Sequence, residues 1–370
     1  MLALARYNRI GPDSPMLIRG ELFPDELDRG YYGRLMRLNG LVKANDFDNL
    51  AASWAGSPLY RLEILSSLAG VPAEIFVRRH TTIPFFQGIG NNGQAARHND
   101  SGAYLKFLSW QWLSDTRSEA YFCEKCVACD LELSGQSYWR RSHQIPGLFW
   151  CPEHSFPLRY VSGQAAFNRS PAELLPSSLV NDAEWMSEVQ NNPVIRCYIE
   201  LSLKVMASRA PFDRESVSNT LIAQARSQDF DVCVYEFSLD NMLHEVVRQY
   251  GRRWLDTVMP PYRRRKKLRI PCYRSRRFVE EDQRQGTFVL QCILACPILY
   301  GSAEEALSAF GRFNPGSTTF FKPRPQEFLR KTDELTRQPV CDQYDFRSNQ
   351  SGESPLHAVS GNDDSACIDY

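Results

Sequence analysis

Residues 121–160 read YFCEKCVACDLELSGQSYWRRSHQIPGLFWCPEHSFPLRY, and the architecture is best read outward from them. The run holds two pairs of soft ligands, Cys123 with Cys126 and Cys151 with His154, in the pattern C-x2-C-x24-C-x2-H. Two ligands three positions apart fit on one tight turn and offer two corners of a tetrahedron. Two such turns face to face complete a four-ligand zinc site with bonds of about 2.0–2.3 Å. The spacing therefore predicts a small zinc ribbon over 116–160. Cys129 continues the three-residue spacing and is a reserve for Cys126, which is preferred because both pairs then share one geometry. Four protein ligands close the coordination sphere, whereas a catalytic zinc keeps a position for water. The expectation is one structural Zn2+ that contributes to folding. No H-x-E motif accompanies the cysteines, which argues against zinc deaminase chemistry.

Between the pairs lies Tyr138-Trp139-Arg140-Arg141-Ser142-His143-Gln144. Trp139 reads as a packing residue, and Arg140 and Arg141 as candidate contacts to phosphate or to an acidic partner. His143 has three readings: a structural or binding residue, which is preferred, a spare zinc ligand, or a catalytic base. The adjacent arginines disfavour its protonated form. No paired carboxylates or second histidine at telling spacing support strand cutting, so no catalytic residue is expected. A metal-dependent nuclease built on His143 is the enzymatic alternative.

Ahead of the ribbon, 1–115 reads as a helical module. Leu27, Tyr31, Leu35 and Leu38 have helical spacing, with Gly40 as a stop. Tyr60 to Leu68 forms a second helix, broken at Gly70, and Pro72 opens a third. Helix, Gly-containing turn, helix is a helix-turn-helix outline. Gly88 to Gly102, rich in Gly and Asn, reads as a loop, and His98 in it as a solvated residue.

Behind the ribbon, 161–342 reads as a helical domain. Val194 to Met206 is strongly apolar and Ser216 to Gln228 amphipathic. Ser238 is a candidate cap for a helix over Leu239 to Tyr250, ended by Gly251. Phe288 to Phe310 reads as two apolar helices divided at Tyr300-Gly301-Ser302, with Cys292 and Cys296 as core residues. The composition of 343–370 suggests a disordered tail. The fold class expected is mainly α, with the ribbon as a small insert.

Charge is the second signal. The 370 residues balance to a formal net charge of zero, yet a basic segment, 252–277, follows Gly251. Arg263, Arg264, Arg265, Lys266, Lys267, Arg269, Arg274, Arg276 and Arg277 lie in a stretch, Pro260 to Phe278, without one acidic residue. Such separation suits a phosphate backbone and predicts salt-dependent binding to double-stranded DNA. Pro260, Pro261 and Pro271 rule out one continuous helix through it. Base readout would need a helix such as Pro72 to His80 or Ser216 to Gln228.

The apolar opening ends by Arg6, too short for a secretory core of about 7–15 residues, and no run of about 18 apolar residues implies a membrane span. Eleven scattered cysteines fit reduced thiols in a cytoplasm, some of them on metal.

The runs SYWRRSHQIPGLFWCPEHSFPL and FCEKCVACDLELSG, together with LSSLAGVPAEIFVRRHTTIPF and Tyr31-x-x-Arg34-Leu35-x-Arg37-Leu38-x-Gly40 upstream, resemble the TniQ family over about the first 160 residues. SLDNMLHEVVRQYG and FVLQCILACPILYGSAEEALSAF more loosely resemble the C-terminal half of TnsD-type target selectors. The resemblance implies a bacterial, nucleoid-associated, non-enzymatic transposition protein that binds an attachment site and recruits an AAA+ regulator. An adapter on a CRISPR RNA-guided complex is the alternative it carries, and a homodimer is compatible with either. Some relatives carry a second cysteine ribbon. Arg159 to Pro176 contains no cysteine, so a single zinc is expected.

Overall fold

The computed structural model describes residues 18–43, 46–47, 61–90, 119–208, 210–232, 237, 242–258 and 281–312, without the side chains of 61, 164 and 281–287. All of these fall in one compact unit, Met1–Ser317. The described residues are mainly helical.

The chain turns sharply at Asp25, a non-glycine residue at φ 57°, and enters α1 (Asp28–Leu38) with Leu27 as its N-cap. Leu27, Tyr31 and Leu35 are buried along one face as their spacing demands, and Gly40, at φ 64°, follows the helix end. Then come α2 (Arg61–Leu68), α3 (Ala73–His80) and α4 (Ile83–Phe86). The left-handed turn at Gly70 and the N-cap Pro72 separate α2 from α3. Tyr31, Leu35, Phe47, Leu62, Leu65 and Phe76 form the core of this part. The expected loop from Gly88 begins instead as strand β1 (Ile89–Gly90). The rest of it, with His98, lies outside the described residues.

Strand β2 (Glu119–Phe122), helix α5 (Glu124–Ser134) and strand β3 (Arg159–Ser162) follow. After α6 (Pro171–Leu174), β4 (Leu179–Val180) completes an antiparallel sheet in the order β2-β3-β4. In its register Phe122 faces Arg159 and Tyr121 faces Tyr160. Helix α6 opens with a reciprocal capping box between Ser170 and Glu173.

The C-terminal helices are α7 (Ala183–Asn191), α8 (Pro193–Ala207), α9 (Arg214–Ser227), α10 (Leu243–Tyr250), α11 (Arg252–Val258), α12 (Glu281–Tyr300) and α13 (Ala303–Arg312). Side-chain oxygens of Asp182, Asn192 and Asp213 accept the first free amides of α7, α8 and α9. Each cap is worth about 1 kcal/mol. Between α8 and α9, β5 (Phe212–Asp213) pairs in parallel with β1. Met242 is the N-cap of α10, and Ser238 lies outside the described residues. The apolar faces of α8 and α12 meet at the centre of the largest core. Cys292 and Cys296 are fully buried there, and burial pushes both thiols up. Among the described residues no helix is long and apolar enough to cross a membrane.

Two glycines let the parts approach. A Cβ on Gly33 of α1 would stand 2.0 Å from the Phe167 carbonyl oxygen. Gly147, at φ 81°, accepts a hydrogen bond from Trp254 Nε1 of α11, and a Cβ there would meet the indole at 2.5 Å. Phe149, Cys151 and Leu158 thus share one core with Trp185, Tyr198 and Trp254.

Candidate metal centre

Local folding sets both ligand pairs. Cys123 follows directly on β2 and is the N-cap residue of α5, at φ −101° and ψ 128°, while Cys126 lies in the first helical turn. Cys151 and His154 sit on a tight loop between Trp150 and Pro157, which form an isolated bridge. Its backbone is closed by Ser155 N–H to Cys151 O and by Cys151 N–H to Phe156 O, each 2.8 Å. Ser155 takes the left-handed conformation, φ 51°, at the tip. The β2–β3 register then brings the two loops face to face.

The four ligand atoms lie within 4.8 Å of one another. Cys126 Sγ is 3.6 Å from Cys151 Sγ, and His154 Nδ1 is 3.7, 3.3 and 3.5 Å from the sulfurs of Cys123, Cys126 and Cys151. A tetrahedral ion with metal–sulfur bonds of about 2.3 Å and metal–nitrogen bonds of about 2.0–2.1 Å separates two sulfurs by about 3.8 Å and sulfur from nitrogen by about 3.6 Å. The observed edges fit that tetrahedron. All three cysteines are buried and reduced. The neighbouring thiols of Cys126 and Cys151 pull Cys123 below the usual thiol range, and the same contacts hold Cys126 up. A bound cation would let more than one thiolate share this space. The set of three sulfurs and one imidazole can hold a metal ion, and it is the single such group among the described residues.

Cys129, the reserve ligand, points to solvent on the outer face of α5. His143 is 1 % exposed in a short 3-10 turn, Ser142–Gln144, and is not part of the metal group.

The arginines expected at a phosphate or a partner are committed inside the molecule. Both terminal nitrogens of Arg140 bond the two carboxylate oxygens of Asp130, at 2.9 and 2.8 Å. Arg141 bonds Asp25 through Nε at 2.7 Å and also donates to the carbonyl of Arg78. The physical reason is local: the 138–142 segment runs beside the 23–27 turn. Leu27 N–H donates to Trp139 O at 2.7 Å, Arg141 N–H to Asp25 O at 2.9 Å, and Glu26 bridges Arg140. Side chains leaving that seam find Asp25 and Asp130 before they find water. The sequence reading missed both acids. Asp130 had a visible signal, since it stands one helical turn beyond Cys126.

The other candidates are dispersed. On α3, Phe76 and Val77 are buried, whereas Glu74 and Arg79 are exposed. Helix α9 buries Val217, Leu221 and Ile222. Arg252 and Arg253 are exposed at the start of α11, Arg253 with its guanidinium 4.4 Å over the Trp185 ring. Arg263, Arg264, Arg265, Lys266, Lys267, Arg269, Arg274, Arg276 and Arg277 lie outside the described residues.

Compared with known families, residues 17–158 match the TniQ family model, so the whole metal centre falls within the matched region. The match does not extend into the C-terminal helices. No curated protein matches the chain.

Proposed function

We propose that this chain, whose residues 17–158 constitute a TniQ domain, is a non-enzymatic transposition protein that selects the target site. It binds attachment-site DNA and recruits an AAA+ transposition regulator, working on the nucleoid in a bacterial cytoplasm. The observation that carries this reading is the convergence of Cys123, Cys126, Cys151 and His154 inside that domain.

The ion is Zn2+. Three thiolates and an imidazole in a tetrahedron suit a borderline-soft d10 ion, and four protein donors leave no place for a reacting water. Its task is to hold β2, α5 and the 149–158 loop together. DNA contact is assigned to the basic run of Pro260 to Phe278, supported by its nine cationic residues without an intervening acid. Neutralised phosphates release counterions, so affinity should fall steeply with salt.

The test is to incubate the purified protein with fragmented host DNA at physiological salt, recover the bound fragments and sequence them. Enrichment of one locus is the expected result. Uniform, salt-sensitive recovery would instead point to an adapter that takes its address from an RNA-guided complex.

A further inference from the structure

We infer that the Asp130–Arg140 pair makes docking of residues 18–43 conditional on the bound ion, an inference that rests on the metal reading above. Helix α5 has 11 residues and buries only Cys126, Val127 and Asp130. A helix of that length is marginal in water by itself. Metal bonds at Cys123 and Cys126 therefore hold it, far more than apolar contact does. Asp130 comes one turn after Cys126 and both of its oxygens are bonded to Arg140. Arg140 in turn sits in the seam where the 138–142 segment meets the 23–27 turn, its backbone bridged to Glu26 and its guanidinium 4.4 Å over the Tyr138 ring. Tyr138 is stacked on Phe23 at 4.7 Å.

When the ion leaves, α5 loses its anchor and Asp130 withdraws. A guanidinium without its carboxylate is not tolerated in a closed seam. Arg140 turns out to water, and the contacts of Phe23, Glu26 and Leu27 on 138–142 open with it. Cys123, Cys126 and Cys151 belong to the same core as α8 and α12, but the apolar contacts between those two helices do not run through the ion and persist. Loss of metal is thus converted into release of the N-terminal helices rather than collapse of the whole unit.

Hydrogen exchange on the full chain tests this, with metal bound and after chelation, for the wild type and for Asp130→Leu/Arg140→Leu. In the wild type, chelation should speed exchange over residues 20–40 by about tenfold or more while α8 and α12 change little. The leucine pair strands no charge, so 20–40 should stay slow after chelation in that variant. Equal exchange over 20–40 with and without metal in the wild type overturns the proposal. So does equal acceleration in both proteins. Should the leucine pair not fold, Asp130→Asn/Arg140→Gln takes its place, with the same two outcomes. Added Co2+ reports separately on the site: without a thiolate-to-metal absorption band the metal reading falls too.

Discussion

Arg34 and Arg140 bracket one aromatic stack: Arg34 lies 4.6 Å over Phe23, Phe23 stacks on Tyr138 with planes 16° apart, and Arg140 lies 4.4 Å over Tyr138. Each guanidinium is also paired edge-on with a buried carboxylate, Glu26 for Arg34 and Asp130 for Arg140. Helix α1 and the segment after α5 are therefore joined here by ring contact, Phe23 on Tyr138, with a local ion pair steadying each side.

Removing one end of that arrangement should be costly. Arg34→Ala leaves Glu26, which is 0 % exposed, without its partner, and the expected loss is about 3–5 kcal/mol in urea unfolding. Lys204, paired with Glu200 and Glu304 on the surface, is the control. Its replacement by Ala should leave the unfolding midpoint where it was.

Metal content separates ligands from bystanders. Cys151→Ala should lose the ion and destabilise the N-terminal half, read by elemental analysis together with thermal unfolding. Cys129→Ala should retain a full equivalent. Metal lost from the second variant but kept by the first would reverse the assignment.

Gly33 tolerates no side chain. A Cβ 2.0 Å from the Phe167 carbonyl forces α1 away from the 164–168 turn, and Gly33→Ala should cost about 1–3 kcal/mol. Gly311 of α13, with open space around its Cβ position, offers a contrast. Gly311→Ala introduces no clash, so a similar loss at both positions would argue against the packing explanation.

Asp28 should set a pH dependence of opposite sign to most carboxylates. Burial raises its pKa from 3.8 to about 6, against the charge of Arg29. The folded state therefore binds this proton more tightly than the unfolded state. Its stabilising contribution is complete below about pH 4 and is lost as pH rises through about 6. Asp28→Asn should gain on the wild type by about 1.5 kcal/mol between about pH 5 and about pH 7.5. His80, with its pKa lowered mainly by burial, acts the other way below about pH 6.5. It cancels in this comparison because both proteins keep it. A difference flat with pH would contradict the buried-charge account of Asp28.

What the sequence disclosed follows the range of each interaction. Helix α8 is legible because its apolar face, Asn192 and Pro193 are contiguous. The two ligand pairs are legible because each is a turn, complete within four residues. Arg140 and Arg141 read as candidate contacts to phosphate or to an acidic partner because no residue adjacent to them in the chain names an internal carboxylate. Asp25 is 116 residues from Arg141, and only tertiary structure reveals that pair. The extent of the C-terminal core is hidden for the same reason: Tyr198 O–H donates to the Pro146 carbonyl, and Trp254 N–H to that of Gly147. No local pattern in residues 121–160 announces those partners.

The parallel pairing of Ile89–Gly90 with Phe212–Asp213 also bears on synthesis. At about 5–20 residues per second, β1 leaves the ribosome roughly 6–25 s before β5 does. During that interval Phe85, Phe86 and Ile89, all buried in the finished protein, have no cover from the helices that come later. A nascent chain halted at the end of the region that matches the TniQ model would present this apolar strip to chaperones. The second half of the protein therefore acts as the folding partner of the first.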